Sequence, residues 1–212
     1  AHLTGGQGVA GSNPVHPTMD GQARRAEAVW PFTFVSNDAT LLLTPNLEEG
    51  SLMPGKRSDV ISWDEFFMRV AIAASLRSKD PNTQVGACIA DIHQRILSVG
   101  YNGTPAGITD DEFPWESSED PLHDKHNYVI HAEANAILNY RGSLKDMHRA
   151  TVYVTLFPCQ ECSKMLVQAG IGEVVYLDDK YHGSLGAMIS RTVLDSCGVC
   201  YRQVMLPGDA LN

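Results

Sequence analysis

The sequence predicts an α/β protein: a three-layer α/β/α sandwich on a five-stranded mixed sheet. Three observations carry that prediction. Two β-rich runs, QVGACIA (84–90) and RILSVGY (95–101), flank a polar turn and read as a hairpin. After residue 130, helical patterns alternate with β-branched strands, which sets parallel strands beside the hairpin with helices on both faces. Of the 212 residues, 43% are hydrophobic and 19% charged, enough apolar surface for a core and too little charge for a disordered chain.

Residues 1–55 hold Pro14, Pro17, Pro31, Pro45 and Pro54 and show no sustained periodicity, so they read as a flexible or arm-like extension. Within it, residues 1–18 resemble a vector-derived linker, with Met19 a candidate natural start. Order begins at Ser62, whose hydroxyl stands three residues before the Glu65 carboxylate in capping-box spacing. Phe66, Phe67, Val70, Ala71 and Ala74 then recur at helical intervals, and Asp80-Pro81 is expected to stop that helix. The hairpin follows. Residues 102–130 are too irregular for an element, and a loop of that length in a compact domain is usually functional. Beyond it the pattern predicts helix 131–140, strand 151–156, helix 159–168, strand 173–177, helix 184–196 and strand 200–205. Gly170 and Gly198 stand where helices should end. The predicted domain is 56–207, with 208–212 as a tail.

Charge and cysteine usage narrow the class. Sixteen Lys+Arg against 25 Asp+Glu gives a net charge of −9, which disfavours a nucleic-acid-binding surface. No run approaches the roughly 18 apolar residues of a membrane helix. Five cysteines, nearly all in the second half, do not make a disulfide framework, and the expected setting is intracellular and cytoplasmic.

The chemistry concentrates in His131-Ala132-Glu133 and Pro158-Cys159-Gln160-Glu161-Cys162. The cysteine spacing lets both thiolates reach one ion from the first turn of a helix, whose N-terminal dipole favours their charged form. His131 supplies a third ligand. Three protein ligands leave a fourth tetrahedral position for water, as in catalytic zinc sites. Glu133 would then stand beside that water and move its proton. A four-ligand structural zinc would need a further Cys or His close by, and none follows in sequence. The pattern H-x-E…P-C-x-x-C is that of zinc nucleobase deaminases.

The chain resembles the deoxycytidylate (dCMP) deaminases of the cytidine-deaminase-like superfamily over roughly two thirds of its length, from Ser62 to Pro207. Beyond the zinc motif, the likeness rests on Arg77-Ser78-Lys79-Asp80-Pro81, Gln84-Val85-Gly86-Ala87, Gly100-Tyr101-Asn102-Gly103-Thr104-Pro105, Asp110-Asp111, Pro114-Trp115 and Asp179-Lys180-Tyr181-His182. The resemblance implies one catalytic Zn2+ per chain on His131, Cys159 and Cys162, with Glu133 as the proton shuttle. It implies substrate contacts at Asn102, Ala132 and Pro158, with Tyr181 on the phosphate side. Ser78, Lys79, Asn82 and Gln84 lie where the family approaches the phosphate. The implied reaction is hydrolysis of dCMP to dUMP and ammonia, supplying thymidylate synthesis. It further implies a homohexamer activated by dCTP and inhibited by dTTP, with Mg2+ accompanying a bound effector. Some relatives hold a second zinc through cysteines; here those places read Asp80-Pro81 and Asp110-Asp111, so a second zinc is not expected.

Alternatives stay open at this point. The same motifs serve a dCTP or dual dCMP/dCTP deaminase. A polynucleotide deaminase would need basic and stacking surface, and a silent nucleotide-sensing subunit would have no use for Glu133. Cys197 and Cys200 read as structural, Cys88 as core, and Phe113 and Trp115 as either mouth or loop packing. Arg141, Lys145 and Arg149 could hold an anion or simply offset a helix dipole.

Overall fold

A computed structural model describes residues 55–207 except Asp110 and Glu112, so nearly all of the expected arm and the tail lie outside the described residues. Nine main elements follow in order: α1 (Trp63–Ser75), β1 (Gly86–Ala90), β2 (Ile96–Tyr101), α2 (Ala132–Asn139), β3 (Thr151–Leu156), α3 (Gln160–Ala169), β4 (Glu173–Asp178), α4 (Leu185–Ser196) and β5 (Cys200–Gln203). Single 3-10 turns lie at Lys125–Asn127 and Leu144–Met147. The sheet order is β2-β1-β3-β4-β5. Strand β1 is antiparallel to both β2 and β3, whereas β3, β4 and β5 run parallel, as hairpin-then-alternation requires.

The two-residue period of the strands sorts their side chains into two cores. Ala87, Ile89, Val152, Val154, Val174 and Tyr176 face α2, α3 and α4. Cys88, Ala90, Tyr153 and Val175 face α1 through Phe67, Met68 and Ala71. Both faces of the sheet are therefore covered, and every residue of β1 is buried. This is the three-layer sandwich expected from the sequence. Among the described residues, no helix is long and apolar enough to cross a membrane.

Element ends differ from expectation for local reasons. The Ser62 hydroxyl accepts from the Glu65 N–H and caps α1, but the Glu65 carboxylate pairs with Arg69 one turn on. Helix α1 stops at Ser75, short of Asp80-Pro81, and Ser75 turns its hydroxyl back to the Ile72 carbonyl. Strand β1 begins at Gly86, not residue 84, because the preceding N–H groups are claimed by side chains: Asn82 and Thr83 by Asp80, Val85 by Asn102. Gly170 closes α3 in the left-handed region at φ 89°, as its position predicts.

Two glycines permit the helix-on-sheet contacts. A Cβ on Gly86 would lie 1.9 Å from the Ala71 carbonyl oxygen, and one on Gly100 would lie 2.3 Å from the Ala132 oxygen and the Ala136 nitrogen. Helix α2 is seated on β2 further by Ser98 Oγ donating to Ala136 O at 2.7 Å and by Asn135 and Asn139 donating to Tyr101 and Val99 carbonyls. Gly100→Ala is thus expected to cost about 1–3 kcal/mol through overpacking. At roughly 2–4 °C per kcal/mol for a chain of this size, thermal unfolding should register it. An unchanged melting temperature would show that α2 does not rest on this strand.

Candidate active site and metal centre

Two helix N-termini meet at the end of β3. His131 is the N-cap residue of α2, placed there by a bridge in which Gly103 and Ile130 exchange N–H···O bonds of 3.1 and 2.9 Å. That bridge also closes the base of the long 102–130 loop. Cys159 is the N-cap residue of α3, and Cys162 lies in its first turn. The chain reaches that helix through Phe157, whose N–H donates to Asp178 O, and through Pro158, whose carbonyl accepts from Ser190 Oγ. His131 Nδ1 lies 3.4 Å from Cys159 Sγ and 3.4 Å from Cys162 Sγ. A tetrahedral zinc with usual bond lengths would set N and S about 3.6 Å apart, so the three donors fit that ion. Their ligand atoms all fall within 4.8 Å of one another. Sulfur and imidazole donors suit zinc and not magnesium, which takes oxygen.

The protonation pattern follows from crowding. Hydrogen bonding from Cys162, together with His131, holds the Cys159 thiol far below its ordinary value. The same Cys159 contact, with burial, pushes Cys162 up. Its contact with Cys159 raises His131. One cation can replace the protons that these three groups share. Glu133 is 4% exposed, and burial pushes its carboxyl above the ordinary range against the pull of His131. A carboxyl group raised in this way is suited to taking up and giving back a proton.

A cavity of about 340 Å³, large enough for a small organic ligand, opens over these groups. His131, Ala132, Glu133, Cys159, Asn102 and Tyr181 all line it. Pro158 is fully buried and borders an adjoining cavity of about 100 Å³, which shares Phe157, Cys159 and Tyr181 with the first. Ser78, Lys79, Asn82 and Gln84 do not line the main cavity; they sit on the connection from α1 to β1, with Lys79, Asn82 and Gln84 exposed. Asn102 is 6% exposed and already grips that connection, accepting from Val85 N–H at 2.8 Å and donating to Thr83 O at 2.9 Å. Tyr181 is half exposed beneath Lys180, whose Nζ lies 4.9 Å from its ring centre and donates to Thr83 Oγ1 at 3.1 Å.

Three polar wall residues were not assigned to the site from sequence. Asp80 and Lys125 form an ion pair with Oδ1 and Oδ2 2.7 and 2.8 Å from Nζ, both side chains almost wholly buried, and Thr83 lies beside them. Burial alone would raise the Asp80 carboxyl; Lys125 and the N–H groups of Asn82 and Thr83 outweigh it and hold it below the usual range. A depressed folded-state value means stabilisation is present above the unfolded value of about 3.9 and is lost as pH falls through the folded value. Asp80→Asn should therefore flatten the loss of melting temperature below about pH 4. It should also cost about 3–5 kcal/mol at neutral pH by leaving Lys125 unpaired. Parallel melting curves for the two proteins across that range would contradict this.

The remaining features have structural uses. Phe113 is buried against Trp115 and Tyr128, ring centres 4.8 and 5.8 Å apart, so these aromatics pack the long loop and do not line the cavity. Cys88 is buried under α1, its thiol pushed up to about 12 by burial. Cys197 caps α4 and Cys200 opens β5, both exposed.

Comparison with known proteins agrees with this geometry. The profile of the cytidine and deoxycytidylate deaminase zinc-binding region matches residues 61–178. The chain is similar to the deoxycytidylate deaminase of Homo sapiens, 47% identical over 149 residues that cover 70% of this chain and 83% of that protein. It is likewise 47% identical over 154 residues to a probable deoxycytidylate deaminase of Drosophila melanogaster, covering 70% of this chain and 75% of the relative. Among solved structures it resembles the dCMP deaminase of cyanophage S-TIM5 crystallised with dCMP and dUMP, at 27% identity and a TM-score of 0.51, over 66% of this chain and 95% of that one.

Proposed function

This chain belongs to the cytidine and deoxycytidylate deaminase family, and on that basis we propose that it is a zinc-dependent enzyme that hydrolyses dCMP to dUMP and ammonia. The observation that carries the reading is the convergence of His131, Cys159 and Cys162 beside a buried Glu133 on one cavity wall. Cytosine C4 chemistry needs one activated water and one proton carrier, and this wall offers a place for both. His131 Nδ1 and the two sulfurs are assigned as the ligands of one zinc. When bound, zinc supplies Lewis-acid activation of water.

The rest belongs to the protein. Glu133 takes a proton from the attacking water and delivers it to N3 of the ring. A C4–O bond forms; Glu133 then carries the remaining proton of the C4 hydroxyl to the exocyclic nitrogen, the C4–N bond breaks as the C4 carbonyl forms, and ammonia leaves. Ala132, Pro158 and Asn102 are assigned to the base and sugar side. Tyr181, with Ser78, Lys79, Asn82 and Gln84 on the nearby connection, is assigned to the phosphate side. A net charge of −9 cannot steer a nucleotide anion inward, so attraction must be local, and Lys180, whose Nζ donates to Thr83 Oγ1 on the cavity wall, is a cation on that side. Regulation by dCTP and dTTP, an accompanying Mg2+ and a homohexamer rest on the family resemblance, and a cytoplasmic location rests on the cysteine usage.

The test offers the purified zinc-loaded protein dCMP, dCTP, deoxycytidine and a cytosine-containing oligonucleotide, each with and without dCTP or dTTP as effector. The expected result is highest kcat/KM on dCMP. Preference for dCTP would move the assignment to the triphosphate, and turnover confined to the oligonucleotide would overturn it.

A further inference from the structure

Resting on that reading of the site, we propose that the buried Asp80–Lys125 ion pair is a positioning clasp that sets affinity for the nucleotide without taking part in the chemistry. The pair joins two segments far apart in sequence, the connection from α1 to β1 and the 3-10 turn at Lys125–Asn127. Asp80 is the hub of the first. Its Oδ1 accepts from Asn82 N–H at 2.8 Å, Thr83 N–H at 3.1 Å and Lys125 Nζ at 2.7 Å, and its backbone carbonyl accepts from Gln84 Nε2. The Asp80 N–H in turn donates to Ser78 Oγ. Three of the four residues assigned to the phosphate side therefore take their place from this one residue. Lys125 anchors the second segment: its N–H donates to Glu116 O, and its carbonyl accepts from Tyr128 and Val129 N–H just before His131.

Both side chains are almost wholly withdrawn from water, at 5% and 6% exposed. A buried pair of this kind adds little net stability compared with apolar residues of the same shape; what it fixes is geometry. Residues of both segments line the same cavity, and the pair ties one segment to the other. Loosening it would let the Asn82–Gln84 stretch drift by fractions of an ångström, which weakens binding of the phosphate end. His131 and Glu133 are held independently by the seating of α2 on β2.

The test is a double-mutant cycle on the zinc-loaded full chain: Asp80→Asn, Lys125→Met, both together, and Lys125→Arg. The double variant leaves no stranded charge and is the folded reference should either single variant unfold. The expected result is a KM for dCMP raised about tenfold or more, with kcat within about threefold of the parent. The double variant should be no worse than either single one, and Lys125→Arg should restore most of the affinity. If Lys125 instead touched the phosphate itself, Asp80→Asn would free its charge and leave KM unchanged or lower, which would overturn the clasp. A double variant with parental KM, or one whose loss falls on kcat, would overturn it as well. Failure of the parent chain to deaminate dCMP would strike the proposed function and not the clasp, whose parental dCMP dissociation constant, measured by calorimetry, should then rise in the double variant by the same factor.

Discussion

Replacing Glu133 by Gln should abolish measurable dCMP turnover while the protein keeps one zinc per chain. The substitution preserves volume and hydrogen-bonding reach in a position that is 4% exposed, so packing beside His131 is nearly unchanged. What it removes is the ability to accept a proton. A positioned acid–base group is worth roughly 10²–10⁴ in rate, and the proposed mechanism assigns one carboxylate to both the attacking water and the departing amine, so a loss at the upper end is expected. Steady-state kinetics beside metal analysis of the same sample measures both halves. A zinc-replete variant with parental kcat would remove Glu133 from its assigned role.

The second large effect belongs to the ligands. Cys162→Ala deletes a sulfur that is almost wholly buried and 3.4 Å from His131 Nδ1, leaving a two-donor site. Zinc should then be lost on dialysis, activity should vanish with it, and the melting temperature should fall, because metal bound to the folded chain stabilises it by mass action. Chelation of the parent protein should give the same fall and zinc should reverse it, whereas added zinc should not restore the variant. Retention of one tightly held zinc by Cys162→Ala would place the metal elsewhere.

Much of this could be read from sequence because the signals are local. The H-x-E and P-C-x-x-C spacings place His131 and Cys159 at helix starts, where first-turn side chains share one end of the helix; in the structure both are the N-cap residues, one position before the first helical residue. TVYVTL and EVVYL were legible as strands from their β-branched and aromatic runs, but not which side chain meets which core, because Val152, Tyr153 and Val154, like Val174, Val175 and Tyr176, are all apolar and buried. The cavity walls were not legible in the same way. Asp80 and Lys125 meet across 45 residues, most of them in an irregular loop, and no periodicity connects them. Asp80 looked like a helix stop because Pro follows it; it is instead the hub of the next connection, and α1 ends at Ser75. Asn102 was placed near the substrate by resemblance, but its hold on Thr83 and Val85 follows from sheet register, which a single chain segment does not encode. Gly86 and Gly100 likewise reveal their purpose only beside the helix backbones that pass over them.

Hydrolysis at C4 of a cytosine nucleotide leaves an isotopic signature that oxygen tracing reads. The zinc-loaded protein is incubated with dCMP in water enriched in ¹⁸O, and the products are followed by mass spectrometry with ammonia measured in parallel. The expected product is dUMP carrying one ¹⁸O at the C4 oxygen, with one ammonia released per dUMP formed. Unlabelled dUMP, or dCMP returned unchanged by protein with its zinc in place, would contradict it.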